Sequence, residues 1–350
     1  VRTLGGRYQL EQCIGVGGMS EVWRGYDEVL ARPVAVKLLA PEDATDYRCD
    51  ERARTEARSA AQLVHPNVAG VFDFGTAPRT PRGRPTPYIV MELVDGATLA
   101  DHLATGPMDW DIAVRICAEV SAALATAHGH GIVHRDIKPA NIMLTSSGVK
   151  VLDFGIATAT GQRDPQSDGT VLGTPAYLAP ERLSGGPATP ATDMYSVGVL
   201  LYECLTGRLP WPDDTPTRLL DAHRYGRPAP LPAIDALAPE AADLCTACLN
   251  EDPGERPGSL VVALVLAEAV DARVYVPPVG LPAPPPGPAA HHGRRPNAVA
   301  RGTGAPRHQA LSRDAGDKAG EHIGRHRAPT QPGAWSSSPT EASRRAGRRG

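Results

Sequence analysis

Between His134 and Gly155 the chain reads HRDIKPANIMLTSSGVKVLDFG. Two carboxylates and an amide, Asp136, Asn141 and Asp153, stand around short apolar segments that read as a small hairpin. Asn141 and Asp153 offer oxygen ligands of the kind Mg2+ prefers, an ion that takes few protein ligands and keeps phosphates and water for the rest. Asp136 is then free to orient a hydroxyl and accept its proton. Lys138, two residues on, can meet a phosphoryl group in transfer.

Two upstream stretches suit the same chemistry. GVGGMSEVW places Gly15, Gly17 and Gly18 in a turn between two predicted strands. Glycines there let backbone N–H groups approach phosphates closely. A glycine-rich β-turn alone is a weak signal, and no helix follows it, which disfavours a dinucleotide fingerprint. VAVK puts Lys37 at the end of an apolar strand, on the same face as Ala35. A lysine pointing into a cleft needs an anionic partner, and phosphate oxygens or a helix carboxylate both qualify. Of Glu51 and Glu56 on the following predicted helix, Glu56 lies within the alanine-rich stretch that should pack inward and is preferred.

The positioning elements follow from periodicity. Residues 8–93 read mostly as strands, including RYQLEQCIGVG, SEVWRGYD, RPVAVKLL and PYIVMELV. One helix, CDERARTEARSAAQLV, interrupts them, with Ala53, Ala57, Ala60, Ala61 and Val64 on one side, and TAPRTPRGRPTP reads as a long loop. Residues 98–274 read mostly as helices. DWDIAVRICAEVSAALATAH carries Ala113, Ile116, Cys117, Val120, Leu124 and Ala127 at helical spacing, with Asp109 as its N-cap. TDMYSVGVLLYECLTG is apolar nearly all round, which marks a helix inside a lobe, and Gly207 suits its C-terminal stop. A strand-rich lobe followed by a helical lobe places a cleft between them.

Charge divides the chain differently. From Pro277 to Gly350 eleven arginines and one lysine oppose two aspartates and two glutamates, net +8, so Val1–Val276 carries −11 of a total of −3. This tail is rich in Pro, Gly, Arg and His, with Trp335 its one aromatic residue. It cannot bury enough apolar area to offset its ordering entropy, so disorder is expected over 275–350. The six cysteines are scattered, which suits a reducing cytoplasmic compartment. Cys245 and Cys248 read as core residues of a helix face, since a zinc site needs about four ligands and no second pair matches. LVVALVLAEAV is too short to span a bilayer and contains Glu268, and VRTLGGRYQL lacks a signal-peptide apolar region.

The glycine turn, VAVK, HRD with its Asn, and DFG occur in the order of the protein-kinase signature set. With GTPAYLAPE, TDMYSVGVLLYECLTG and DPGERP, they make the chain resemble the bacterial Hanks-type (eukaryotic-like) serine/threonine protein kinases over roughly Arg7 to Ala272. The resemblance implies an α+β, two-lobe protein-kinase-like fold: a kinase domain over 1–274, with a small β-rich N-lobe at about 7–95 and a larger helical C-lobe at about 96–274. It implies ATP and Mg2+, with Mn2+ as a possible substitute.

By that resemblance Gly15 to Val22 would form a lid over ATP, with Ser20 where the family usually has a third glycine. Ile14, Gly15, Val16, Gly17, Gly18, Val22, Ala35 and Met143 would line the nucleotide site. Lys37 would hold the α- and β-phosphates and pair with Glu56. Met91 would be the gatekeeper, and the backbone of Glu92 and Val94 would bond adenine. Asn141 and Asp153 would hold the metal, Asp136 would be the catalytic base, and Thr174 would help place the substrate hydroxyl. Lys138 fits the serine/threonine pattern. His134 would be a packing residue behind Phe154, Asp193 would anchor the catalytic-loop backbone, and Glu181 would pair with Arg256. Arg135 would receive a phosphate on the activation loop, whose candidate acceptors are Thr158, Thr160, Ser167 and, preferred, Thr170.

A pseudokinase or scaffold on the same fold is the alternative, but Lys37, Asp136, Asn141 and Asp153 are all present. Small-molecule kinases generally lack the APE and DMYSVG segments found here. Expected partners are proteins with Ser/Thr acceptors and, from family habit, a second copy through the N-lobe. The basic tail suggests nucleic acid or anionic lipid, yet without aromatic interleaving a solvated linker is the preferred reading.

Overall fold

Burial along strand β4 (Arg32–Leu39) accounts for the first layer of the molecule. Val34, Val36 and Leu38 join Leu4, Tyr8, Leu10, Tyr88 and Val90 on one face, while Ala35 and Leu39 join Ala57, Ile89 and Met91 on the other. A strand with period-two apolar sets on both sides must lie inside a sheet covered on both faces. The computed structural model describes residues 2–17, 20–39, 54–55, 57–77, 86–154, 175–211 and 226–276. The chain divides into units Val1–Pro282 and Ala283–Gly350, the second lying outside the described residues.

The sheet is antiparallel, with order β1-β2-β3-β4-β6-β5. Its other strands are β1 (Arg2–Leu4), β2 (Tyr8–Gly17), β3 (Ser20–Asp27), β5 (Val71–Ala77) and β6 (Thr86–Met91). Register sets Val22 opposite Lys37 and Ala35 opposite Met91, so the residues assigned to the nucleotide lie across neighbouring strands.

Part of the alanine-rich helix is described. Residues 54–55 and 57–60 are helical, and Ala57 and Ala60 are buried. The expected face does not continue: the chain turns at Ala61, which is exposed, Val64 is 84% exposed, and Leu63 takes the buried place. Helical spacing holds only while the helix lasts, and this one ends a turn earlier than its composition implied.

From β6 the chain passes through Glu92–Asp95 to β7 (Ala97–Thr98) and helix α1 (Leu99–Leu103). Thr98 and Asp101 form a reciprocal capping box there. Gly96 has φ 159°, and a Cβ on it would meet the Leu144 carbonyl oxygen at 2.1 Å, so only glycine lets this crossing lie so close. Strands β8 (Ile142–Thr145) and β9 (Gly148–Val151) form the expected hairpin, with β7 alongside β8.

The second lobe comprises α2 (Trp110–Gly129), α3 (Pro180–Leu183), α4 (Pro190–Thr206), α5 (Pro239–Cys248) and α6 (Ser259–Ala269). Helix α4 is buried along most of its length and ends at Gly207, in the left-handed conformation (φ 68°). Asp109 occupies the N-cap of α2 without a side-chain cap bond. Cys117, Cys204, Cys245 and Cys248 are buried among the helices, and the five described cysteines are free thiols. Among the described residues no helix is long and apolar enough to cross a membrane, and no His/Cys/Asp/Glu group could hold a metal by itself.

Candidate active site

The loop carrying Asp136 is held from below by helix α4. Asp193, 1% exposed, accepts hydrogen bonds from the backbone N–H groups of His134 and Arg135, both at 2.8 Å. Arg135 sits in the left-handed region (φ 72°), a conformation that costs a non-glycine residue about 1–2 kcal/mol. The buried carboxylate offsets that cost by capturing two successive N–H groups. Asp193 also lies 2.9 Å from Nε2 of His128, whose Nδ1 is 2.9 Å from Ser259 Oγ. Sequence reasoning missed His128 and Ser259, and the one available signal was a histidine in the last turn of α2.

His134 is fully buried. Its Nε2 donates to the Leu152 carbonyl at 2.8 Å, and its Nδ1 accepts the Asp136 N–H at 3.2 Å. Its ring meets Phe154 edge-on, with centroids 4.7 Å apart. Both imidazole nitrogens are thus engaged by the backbone of the loop and of the segment before Asp153.

Asp136 does not stand alone. Its Oδ2 receives Lys138 Nζ at 2.8 Å and Asn141 Nδ2 at 2.9 Å, and Asn141 Nδ2 also donates to the Asp136 carbonyl at 2.8 Å. Oδ2 is fixed by two donors, while Oδ1 has no partner among the described residues. Using Asn141 through its nitrogen leaves its amide oxygen available. Leu152 N–H donates to the Asn141 carbonyl at 2.9 Å, tying the residue before Asp153 to the loop.

Asp153, in the left-handed region (φ 60°), accepts Lys37 Nζ at 2.7 Å. This bond joins β4 of the first lobe to the segment after β9, and Lys37 is 8% exposed. Glu56, the carboxylate chosen for Lys37 from sequence, lies outside the described residues, as do Gly18, Thr174 and the candidate phosphoacceptors of the 158–170 stretch. The oxygen donors fit a hard divalent ion: one amide oxygen and one carboxylate on tied segments, few enough to leave room for phosphate oxygens.

At the other end of the cleft, Ala35 and Met91 are buried opposite one another, and Val22 packs beside them. Met143 lies on β8, while Ile14 and Val16 on β2 are 50% and 80% exposed beside Gly15 and Gly17. Glu92 donates its backbone N–H to the Gly70 carbonyl at 2.8 Å, so only its carbonyl remains to meet a base there. A cavity of about 310 Å³ opens beside Lys138, walled by α1 and by Tyr177 and Glu203. Tyr177 donates to Glu203, and burial raises that glutamate's pKa above the usual carboxylate range.

Within the helical lobe, Arg256 ties Glu181 to the segment before α6. Its guanidinium, 0% exposed, bonds both Glu181 oxygens at 2.8 Å and donates to the carbonyls of Ala191, Asn250 and Glu251. Burial alone would raise the Glu181 pKa, but the paired arginine bonds bring it below its ordinary value.

Comparison with known proteins agrees with this geometry. The family model for the protein kinase domain matches residues 8–270. The serine/threonine-protein kinase PknA of Mycobacterium tuberculosis is 40% identical over 307 residues, covering 87% of this chain and 69% of PknA. PksC of Streptomyces coelicolor is 42% identical over 261 residues (72% of this chain, 47% of PksC), and PknB of Mycolicibacterium smegmatis 44% over 259 (72% and 41%).

Proposed function

This chain belongs to the protein kinase family, as a serine/threonine protein kinase, and from that premise we propose how its residues divide the transfer of the ATP γ-phosphoryl group. The observation that carries the proposal is the linked pair of clusters, Lys138–Asp136–Asn141 and Lys37–Asp153. Asp136 orients the serine or threonine hydroxyl of a protein and takes its proton as the new O–P bond forms. The bond between the β,γ-bridging oxygen and the γ-phosphorus breaks, and ADP leaves. Lys138 turns from Asp136 to the transferring group, and Lys37 to the α- and β-phosphates. Positioning and charge stabilisation matter more here than strong base catalysis. A divalent ion, Mg2+ in this proposal, would be held by Asn141 and Asp153 and would supply neutralisation of phosphate charge.

The same proposal makes residues 1–274 the catalytic domain and 275–350 a separate basic tail, in a reducing cytoplasmic setting that suits free thiols. It includes pairing of two copies through the N-lobe and autophosphorylation within the 158–170 stretch. A phosphotransfer assay on a Ser/Thr peptide mixture, run with Mg2+, with Mn2+ and with chelator, tests the assignment. Phosphoserine or phosphothreonine formed with Mg2+ and lost in chelator is expected. Activity that Asn141→Ala and Asp153→Ala leave intact would overturn the metal assignment.

A further inference from the structure

Lys150 lies on β9, away from the reacting groups, yet its Nζ is 2.9 Å from both carboxylate oxygens of Glu92 and 3.4 Å from the Val68 carbonyl. Its side chain is 18% exposed and that of Glu92 32%, so the pair is sheltered more than a surface ion pair. Glu92 is held a second way: its N–H donates to the Gly70 carbonyl at 2.8 Å, and its Oε2 accepts the Gly70 N–H at 3.1 Å. Gly70 belongs to a segment laced onto β9, where Val151 N–H donates to Asn67 O at 2.8 Å and Ala69 N–H to Val151 O at 3.0 Å. Asp153, the residue tied to Lys37, follows two residues after Val151.

From this closed ring of contacts we infer that Lys150 is a positioning residue for nucleotide recognition: through the Glu92 carboxylate it holds the start of the Glu92–Val94 hinge in register with the strand that carries Asp153. The inference rests on the proposal that the hinge backbone takes adenine. One residue thereby sets the distance between the adenine end and the phosphate end of the cleft. Without the ammonium, the Glu92 carboxylate is drawn toward water and the Gly70 N–H loses its acceptor. The direction of the Glu92 carbonyl is then no longer fixed, although the phosphate-binding groups stay in place.

The test separates the two ends with two probes, adenosine and inorganic tripolyphosphate, measured by calorimetry beside steady-state kinetics with ATP. Lys150→Met and Glu92→Gln should each weaken adenosine binding and raise KM for ATP about fivefold, the scale of one partly exposed charge-assisted hydrogen bond. The double variant should be no worse than either single one, and Lys150→Arg should retain parental values. Tripolyphosphate affinity should stay level throughout, and kcat should stay level in the Lys150 single variants. Unchanged adenosine affinity in Lys150→Met, or equal losses for adenosine, tripolyphosphate and kcat, would overturn the inference. If Lys150→Met fails to fold, Glu92→Gln and Lys150→Gln carry the same comparison. Val94→Pro, which removes the hinge N–H, reports on the underlying reading. If it weakens adenosine while Lys150→Met does not, the clamp alone fails; if it has no effect, the hinge assignment fails.

Discussion

Replacing Asp193 with asparagine removes a charge from a site 1% exposed while keeping its shape. In the parent, the two carboxylate oxygens receive the His134 and Arg135 N–H groups at 2.8 Å and face His128 Nε2 at 2.9 Å. An amide offers one acceptor and one donor, so at least one backbone N–H then faces another donor. A charge-assisted hydrogen bond contributes about 1.5–3 kcal/mol, comparable with the ~1–2 kcal/mol that the left-handed backbone of Arg135 costs. The balance that keeps the turn in place is therefore lost. If about 2 kcal/mol of it falls on the reactive placement of Asp136, kcat for Asp193→Asn drops roughly 30-fold. KM for ATP changes little, because adenine and phosphates are held by other segments. Steady-state kinetics on a protein substrate, with thermal melting to verify folding, measures this. A folded variant whose kcat stays within about twofold of the parent would refute the anchoring argument.

Three further outcomes follow from packing and burial. Arg256→Met strips the Glu181 carboxylate of its guanidinium partner, leaving it the Thr192 hydroxyl at 3.2 Å, and removes the donors to the Ala191, Asn250 and Glu251 carbonyls around a side chain that was 0% exposed; calorimetry should show a loss of about 3–5 kcal/mol, roughly 6–20 °C in melting temperature for a domain of this size. His65 is held below its ordinary pKa of 6.5, chiefly by burial, with the Tyr275 carbonyl opposing. Its neutral form is favoured by folding, so stability is full above about pH 6.5 and falls as pH drops toward the lower folded pKa, and urea titrations of the parent and His65→Gln should diverge in slope there. Gly198→Ala places a methyl 2.8 Å from Cys248 Cβ and 3.1 Å from Leu249 Cγ, where α4 meets α5; overpacking of about 1–3 kcal/mol should appear in denaturant unfolding, with KM values unchanged.

Periodic segments were legible in the sequence. The buried α4, the apolar face of α2 and the β8–β9 hairpin follow from spacing alone. The end of the alanine-rich helix did not, because Ala61 and Val64 continue its apolar spacing past the point where the chain turns. Adjacency of β4 and β6 also escaped, since strands neighbouring in space need not be neighbours in sequence. In the site, residue types announced the chemistry but not the partners. Lys37 and Asp153 are 116 residues apart, and Lys150 and Glu92 are 58 apart. A charge states that it needs a partner, and only the fold says which one it takes. His128 and Ser259, 131 residues apart, carried no mark that would pair them.

The most direct test of the central claim is intact-mass and phosphopeptide analysis of the purified protein after incubation with Mg2+ and ATP, beside Asp136→Asn and Lys37→Met. The account predicts phosphates on serine and threonine in the parent, including the 158–170 stretch, and none in either variant. No added mass in the parent while ATP still binds would contradict it, as would equal phosphorylation in Asp136→Asn.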